Sequence, residues 1–169
     1  MRSSWRGSHE DSAVSRAFVK ESDGAEADQD LPELRVSAHR NLVTAAGLDQ
    51  IEASVRRCEA ELAAARAADD KSTSARHARD LRYWAARRAS AQLVPPPTDT
   101  SKVRFGCTVT LERPDGGRLA YRIVGEDEAA PAAGRISYVS PLAAALLGRD
   151  PGDRVRLGDM DASVVAIGP

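Results

Sequence analysis

From Thr44 onward the apolar residues Leu48, Ile51, Val55, Cys58, Leu62 and Ala65 recur in alternating steps of three and four, the spacing of a coiled-coil seam. Thr44 supplies an N-cap, and the Glu, Arg and Ala residues on the remaining faces favour a helix, against a local cost at Gly47. Asp69 to Ser74 interrupts the repeat with turn and cap residues, and helical composition resumes over Ala75 to Val94. The pattern predicts an antiparallel helical hairpin over residues 41–95, whose returning arm carries Ala78, Leu81 and Ala85 at seam spacing beside Tyr83 and Trp84. Pro95-Pro96-Pro97 closes that arm, because proline has no amide to donate and pushes the preceding residue out of the helical region. A stiff linker is expected over 96–102.

From Val103 the period falls to two. Val103, Phe105, Cys107, Val109 and Leu111 alternate with Arg104, Thr108 and Thr110, which predicts a strand. Pro114-Asp115-Gly116-Gly117 is hairpin-turn chemistry, and Leu119, Tyr121 and Ile123 continue the alternation in a second strand. A third strand is expected over Ile136–Val139. Ser140-Pro141 then pairs an N-cap with proline at the first helical position, opening a short helix over Leu142–Leu147 that ends at Gly148. Arg154–Leu157 and Ser163–Ile167 complete the set, with Pro151-Gly152-Asp153 turning into the first of them. The expectation is an α+β chain: a helical hairpin, then a small antiparallel sheet with one short helix over residues 103–169.

Residues 1–40 have a different character. Ser, Gly, Asp, Glu and Arg dominate, and the stretch from Glu21 to Asp30 offers too little apolar surface to offset the entropy of ordering, so an unstructured extension is expected. Ala17-Phe18-Val19 is an apolar island within it, and Trp5 and His9 belong to no pattern.

At 169 residues the chain is long enough for one small domain with an attachment, not for two large cores. Its formal net charge of −1 argues against wrapping duplex DNA and in favour of a protein partner. The two cysteines, Cys58 and Cys107, both stand at apolar positions, as buried reduced thiols do. No apolar run approaches the roughly 18 residues of a membrane span, and no signal-like segment follows the N-terminus. A cytoplasmic, monomeric protein is expected. The arginines of the returning arm, Arg76, Arg79, Arg82, Arg87 and Arg88, read as a solvated face or as a basic surface for an acidic partner; His77 is expected to be exposed, and no cluster has zinc spacing.

Three spaced motifs carry a resemblance: Phe105-Gly106-x-x-Val109-x-Leu111, Tyr121-Arg-Ile-Val-Gly-Glu-Asp-Glu128 and Ile136-Ser-x-x-Ser-Pro-Leu-Ala-x-Ala-Leu-Leu-Gly148. In this order over residues 103–169, with Pro151-Gly152-Asp153 matching a Val-Gly-Asp habit near the last hairpin, they are similar to the C-terminal domain of the GreA/GreB transcript-cleavage factors. The resemblance implies an FKBP-like domain on the rim of the RNA polymerase secondary channel, with an N-terminal antiparallel coiled coil reaching down it. The nascent RNA would be met only indirectly. In the family, two carboxylates at the coiled-coil tip, in a pattern Asp-x-Ser-Glu-Asn-Ala, help hold a magnesium ion shared with the polymerase's own aspartates. Such a hard cation suits oxygen ligands and activates water for cleavage of backtracked RNA.

The matching tip here is Asp70-Lys71-Ser72-Thr73-Ser74-Ala75. It keeps the first acid and the serine and places Thr73 where the second acid stands, so Asp70 is the candidate catalytic and metal residue within a tip of Asp69, Asp70, Ser72 and Thr73. The first arm would span about 39 Å, several turns short of the cleavage factors. In this it resembles short-armed relatives such as the regulator of nucleoside diphosphate kinase, which keep the rim-binding domain without cleavage. The leading expectation is a secondary-channel regulator of elongation with weak or no cleavage stimulation, not an enzyme in its own right and with no cofactor of its own. It would dock through Ser140, Pro141 and Leu142. The alternatives are a cleavage factor using Asp70, an FKBP-like peptidyl-prolyl isomerase and a coiled coil that dimerises.

Overall fold

A computed structural model describes residues 31–158 and 160–169; the expectations for the Ala17–Val19 island, Trp5, His9 and the acidic stretch 21–30 lie outside these residues. Residues 31–40 follow an irregular path along the hairpin, where Glu33 accepts hydrogen bonds from the Arg82 guanidinium.

The hairpin forms as its seam dictates. β1 (Leu42–Val43) leads into α1 (Ala45–Ala67), capped by Thr44, whose hydroxyl oxygen accepts from the Gly47 amide at 3.0 Å. Ile51, Val55, Cys58, Leu62 and Ala65 are all buried. α2 (Lys71–Ser90) returns along this stripe. At 23 and 20 residues the two arms are about 34 and 30 Å long.

The returning arm departs from its pattern in two respects. Ala85 is exposed and the buried position is Arg87. Helical structure also stops at Ser90, short of the prolines, because β2 (Gln92–Leu93) pairs in parallel with β1: the Gln92 amide donates to the Asn41 carbonyl at 2.8 Å and the Val94 amide to the Val43 carbonyl at 2.9 Å. These backbone bonds to the chain entering α1 replace the last helical turn. The two ends of the hairpin are thereby tied together at its base.

The C-terminal domain is built from β3 (Thr108–Glu112), β4 (Arg118–Val124), a single 3-10 turn at Pro131–Ala133, β5 (Arg135–Ser137), α3 (Pro141–Leu146), β6 (Arg154–Leu157) and β7 (Met160–Gly168). The spatial order is β5-β4-β3-β7-β6. The sheet is antiparallel except for β4 and β5, which run parallel; the connection from Gly125 through the 3-10 turn is long enough to bring the chain back in the same direction. A bulge opposite Thr110 and Leu111 leaves Val165 out of register and adds to the curl of the sheet.

The expected first strand is shorter than its alternation. Val103 and Cys107 are buried as predicted, yet the ladder begins only at Thr108. Gly106 adopts φ +87°, which ends any extended run, and Val103 pairs instead with the segment after α3: its amide donates to the Arg149 carbonyl and its carbonyl accepts from Gly148. Val109, Leu111, Ile123 and Val164 fill the core from the sheet and Ala143 and Leu146 from α3, each larger aliphatic contributing about 1.5–3 kcal/mol on burial. Both cysteines are free and buried.

Candidate functional site

Among the described residues, the turn into α3, the hairpin tip and the joint between hairpin and sheet hold the residues that bear on function.

At the turn, the Ser140 hydroxyl oxygen caps α3 by accepting from the Ala143 amide at 3.2 Å, and Pro141 occupies the first helical position. Ala143 and Leu146 point into the core, Leu142 is half-buried against it, and Pro141, Ala144 and Leu147 are exposed at steps of three. The turn is thus a plain helix start on its inner side and an apolar strip on its outer side. Tyr138, just ahead of it, donates its hydroxyl to the Arg40 carbonyl at the base of the hairpin.

At the tip, α1 ends in a Schellman arrangement. The Asp70 amide donates to the Ala65 carbonyl at 3.0 Å and the Asp69 amide to the Arg66 carbonyl at 3.2 Å, with Asp69 at φ +52°. That left-handed position tolerates aspartate better than most side chains. Asp70 is the N-cap of α2: its Oδ1 accepts from the Thr73 amide at 2.9 Å. This backbone bond, ahead of every other influence, holds its carboxyl below the ordinary aspartate value. The carboxylate of Asp70 therefore has a structural duty in the turn, and Asp69 contributes to it through its backbone. Lys71 and Arg66 share the same notch with them.

The residues do not fit a magnesium site of their own. Asp70 is one carboxylate with an oxygen committed to the cap, Thr73 offers its amide to that oxygen, and no group of three His, Cys, Asp or Glu side chains suited to a metal exists among the described residues.

The joint was not visible to periodicity. Arg87, 1% exposed, reaches from α2 to the turn after β4: its Nε donates to Asp127 Oδ2 at 2.6 Å and its second amino group to Asn41 Oδ1 at 2.8 Å. Asn41 returns a bond to the Arg87 carbonyl at 2.7 Å, and the Tyr83 hydroxyl donates to Asp127 Oδ1 at 2.9 Å. Burial first, and then the bond to Asp127, push the Tyr83 hydroxyl up to about 12. On the neighbouring side the Thr44 hydroxyl donates to Glu128 Oε2 at 2.6 Å, and Glu128 is buried. The backbone approaches closely as well: a Cβ on Gly125 would lie 2.5 Å from the Leu42 carbonyl oxygen.

The remaining arginines of α2 divide between partners and solvent. Arg79 pairs with Asp80 and Arg82 with Glu33, while Arg76 and Arg88 are exposed. His77 is largely covered, contrary to expectation, with its Nδ1 3.1 Å from Glu61 on the facing arm. The isomerase alternative finds no support: Phe105 and Tyr138 meet edge to face at 5.9 Å and pack with Tyr121 against the core, which leaves no aromatic-walled pocket between them. None of the described helices is long and apolar enough to cross a membrane.

A hairpin rooted on a curled sheet, with motif residues at the turn after β4 and at the start of α3, is the class of molecule these elements define. Residues 98–167 match the family model described as "Transcription elongation factor, GreA/GreB, C-term". Similar curated proteins include the transcription elongation factor GreA of Desulfovibrio desulfuricans, 46% identical over 77 residues, covering 44% of this chain and 48% of the relative. That of Thioalkalivibrio sulfidiphilus is 40% identical over 89 residues, covering 48% and 56%. The chain spans about half the length of the curated relatives it matches. Among solved structures, GreA factor homolog 1 (Gfh1) of Thermus thermophilus is similar at 23% identity and a TM-score of 0.39, covering 78% of this chain and 100% of that one. The GreA/GreB factor from Nitrosomonas europaea gives 17% identity and a TM-score of 0.40, covering 76% and 98%.

Proposed function

We propose that the protein is an RNA polymerase-binding regulator of transcription that occupies the secondary channel and alters elongation with little or no stimulation of transcript cleavage. The observation that carries this reading is the match of residues 98–167 to the GreA/GreB C-terminal family. The sheet domain docks on the rim of the channel through Ser140, Pro141 and Leu142, where the exposed strip of Pro141, Ala144 and Leu147 offers a small apolar contact beside a capped helix start. The hairpin points into the channel and meets the nascent RNA only indirectly.

The tip supports occupancy over chemistry. Thr73 stands in place of a second acid, one oxygen of Asp70 is engaged in the helix cap, and Lys71 and Arg66 bring positive charge where a cation would approach. Any magnesium in the complex belongs to the polymerase's active centre. The protein acts as a monomer on this reading, because α2 already covers the seam of α1 within one chain.

The test is retention of purified core RNA polymerase by the full chain, with Pro141→Ala and Leu142→Asp as variants. The wild type is expected to retain the enzyme and the double variant to lose it. Failure of the wild type to bind overturns the reading, and unchanged binding by the double variant overturns the docking assignment alone.

A further inference from the structure

The base of the hairpin is fastened by more than a short coiled coil needs. A surface helix ordinarily turns its arginines to solvent, but Arg87 is sunk at the base of α2 and spends its guanidinium on two partners outside its own helix, Asp127 and Asn41. Glu126 Oε2 lies 3.7 Å from the same guanidinium, and His39 Nδ1 lies 3.7 Å from the other oxygen of Glu126. Glu128 takes hold of the opposite arm through the Thr44 hydroxyl, at the residue that starts α1. The four-residue turn Gly125–Glu128 therefore grips both arms of the hairpin at one level.

Two glycines make that grip possible. Gly125 lets the turn come against the backbone of β1, where a Cβ would meet the Leu42 carbonyl oxygen, an atom that cannot swing aside. Gly47 costs α1 helix propensity in its first turn, and a Cβ there would lie 2.6 Å from Glu128 Oε2. Its presence makes sense as room for Glu128 rather than as part of the helix.

We infer that the Gly125–Glu128 turn, acting through Arg87 and Thr44, fixes the direction in which the hairpin leaves the sheet domain. These are positioning residues: they touch neither tip nor docking turn, and they set the angle between them. Flexible linkage would let the tip sweep a wide volume and occupy a narrow channel at an entropic cost; a buried, directional joint removes that cost before binding. The consequence for transcription rests on the polymerase reading above, whereas the geometry does not.

The test is a distance distribution between spin labels at Ser72→Cys on the tip and Arg118→Cys on the exposed face of β4, measured on the free full-length chain. Cys58 and Cys107 are buried and do not compete for label in the folded protein. The parent protein is expected to give a single narrow distribution. Asp127→Asn, which keeps the shape but removes the charge, and Gly125→Ala are expected to broaden or split it. Gly47→Ala guards against an ambiguous folding failure, since it strengthens α1 as an isolated helix while displacing Glu128. A distribution that stays narrow and unshifted in Asp127→Asn and Gly47→Ala overturns the inference. With polymerase present, the same variants are expected to keep binding and lose the effect on elongation. Because the distances are read on the free protein, they decide the positioning role whether or not the polymerase reading stands.

Discussion

The hairpin has an N-cap at each end, and the two behave differently because of what surrounds them. Thr44 at the base accepts from the Gly47 amide and uses its proton to hold a buried carboxylate 84 residues further along the chain. Asp70 at the tip accepts from the Thr73 amide and, among the described residues, bonds only within its own turn. The same local device is a clamp between domains in one place and a simple helix start in the other. The hairpin's directional polar contacts to the rest of the molecule are thus concentrated where it is rooted and not at its tip.

The sharpest way to break the contrast is at Arg87. Arg87→Ala removes the buried guanidinium and leaves Asn41 and the half-buried Asp127 without its charge, Asp127 keeping only the Tyr83 hydroxyl; loss of one member of such a pair costs up to about 3–5 kcal/mol, and urea unfolding of the full chain reads the effect as a lower midpoint. Thr44→Ala comes next, at about 2 kcal/mol, because it removes a cap and leaves Glu128 without its donor. Asp70→Ala is expected to cost less than Thr44→Ala by the same measurement, since the tip cap is exposed. Its carboxyl is held below the ordinary value, so its contribution is complete above about pH 4 and is lost as pH falls through the folded-state value. The variant should therefore show a shallower acid-side decline than the parent. The smallest effect lies at the alkaline end. With its hydroxyl pushed up to about 12, Tyr83 stabilises the fold fully below about pH 10 and progressively less as pH rises towards 12. Asp127→Asn is expected to move the tyrosinate absorbance transition of Tyr83 to lower pH, although burial keeps part of the shift in place.

Much of this was legible in the sequence, and the misses share a cause. The α1 seam, the Thr44 cap, the Ser140-Pro141 helix start and the β3–β4 hairpin follow from spacing and turn chemistry, which are local. Arg87 escaped because apolar periodicity asks which residues are hydrophobic, and the one buried residue of α2 is an arginine. Its partners lie 40 and 46 residues away, beyond any local pattern. The acidic run Glu126-Asp127-Glu128 after a glycine was the available signal: three adjacent acids in a motif are informative once a helix end rich in arginine needs neutralising. The false strand start at Val103 has the same origin, since alternation reports burial on one side and not the ladder that a positive φ at Gly106 interrupts.

The tip gives the most direct test of the whole account. A stalled, backtracked polymerase complex with labelled RNA is incubated with magnesium and saturating protein, and RNA length and bound protein are read together. Bound protein with RNA of unchanged length is the predicted result; RNA shortened from its 3′ end in the wild type, and spared with Asp70→Ala, would contradict it.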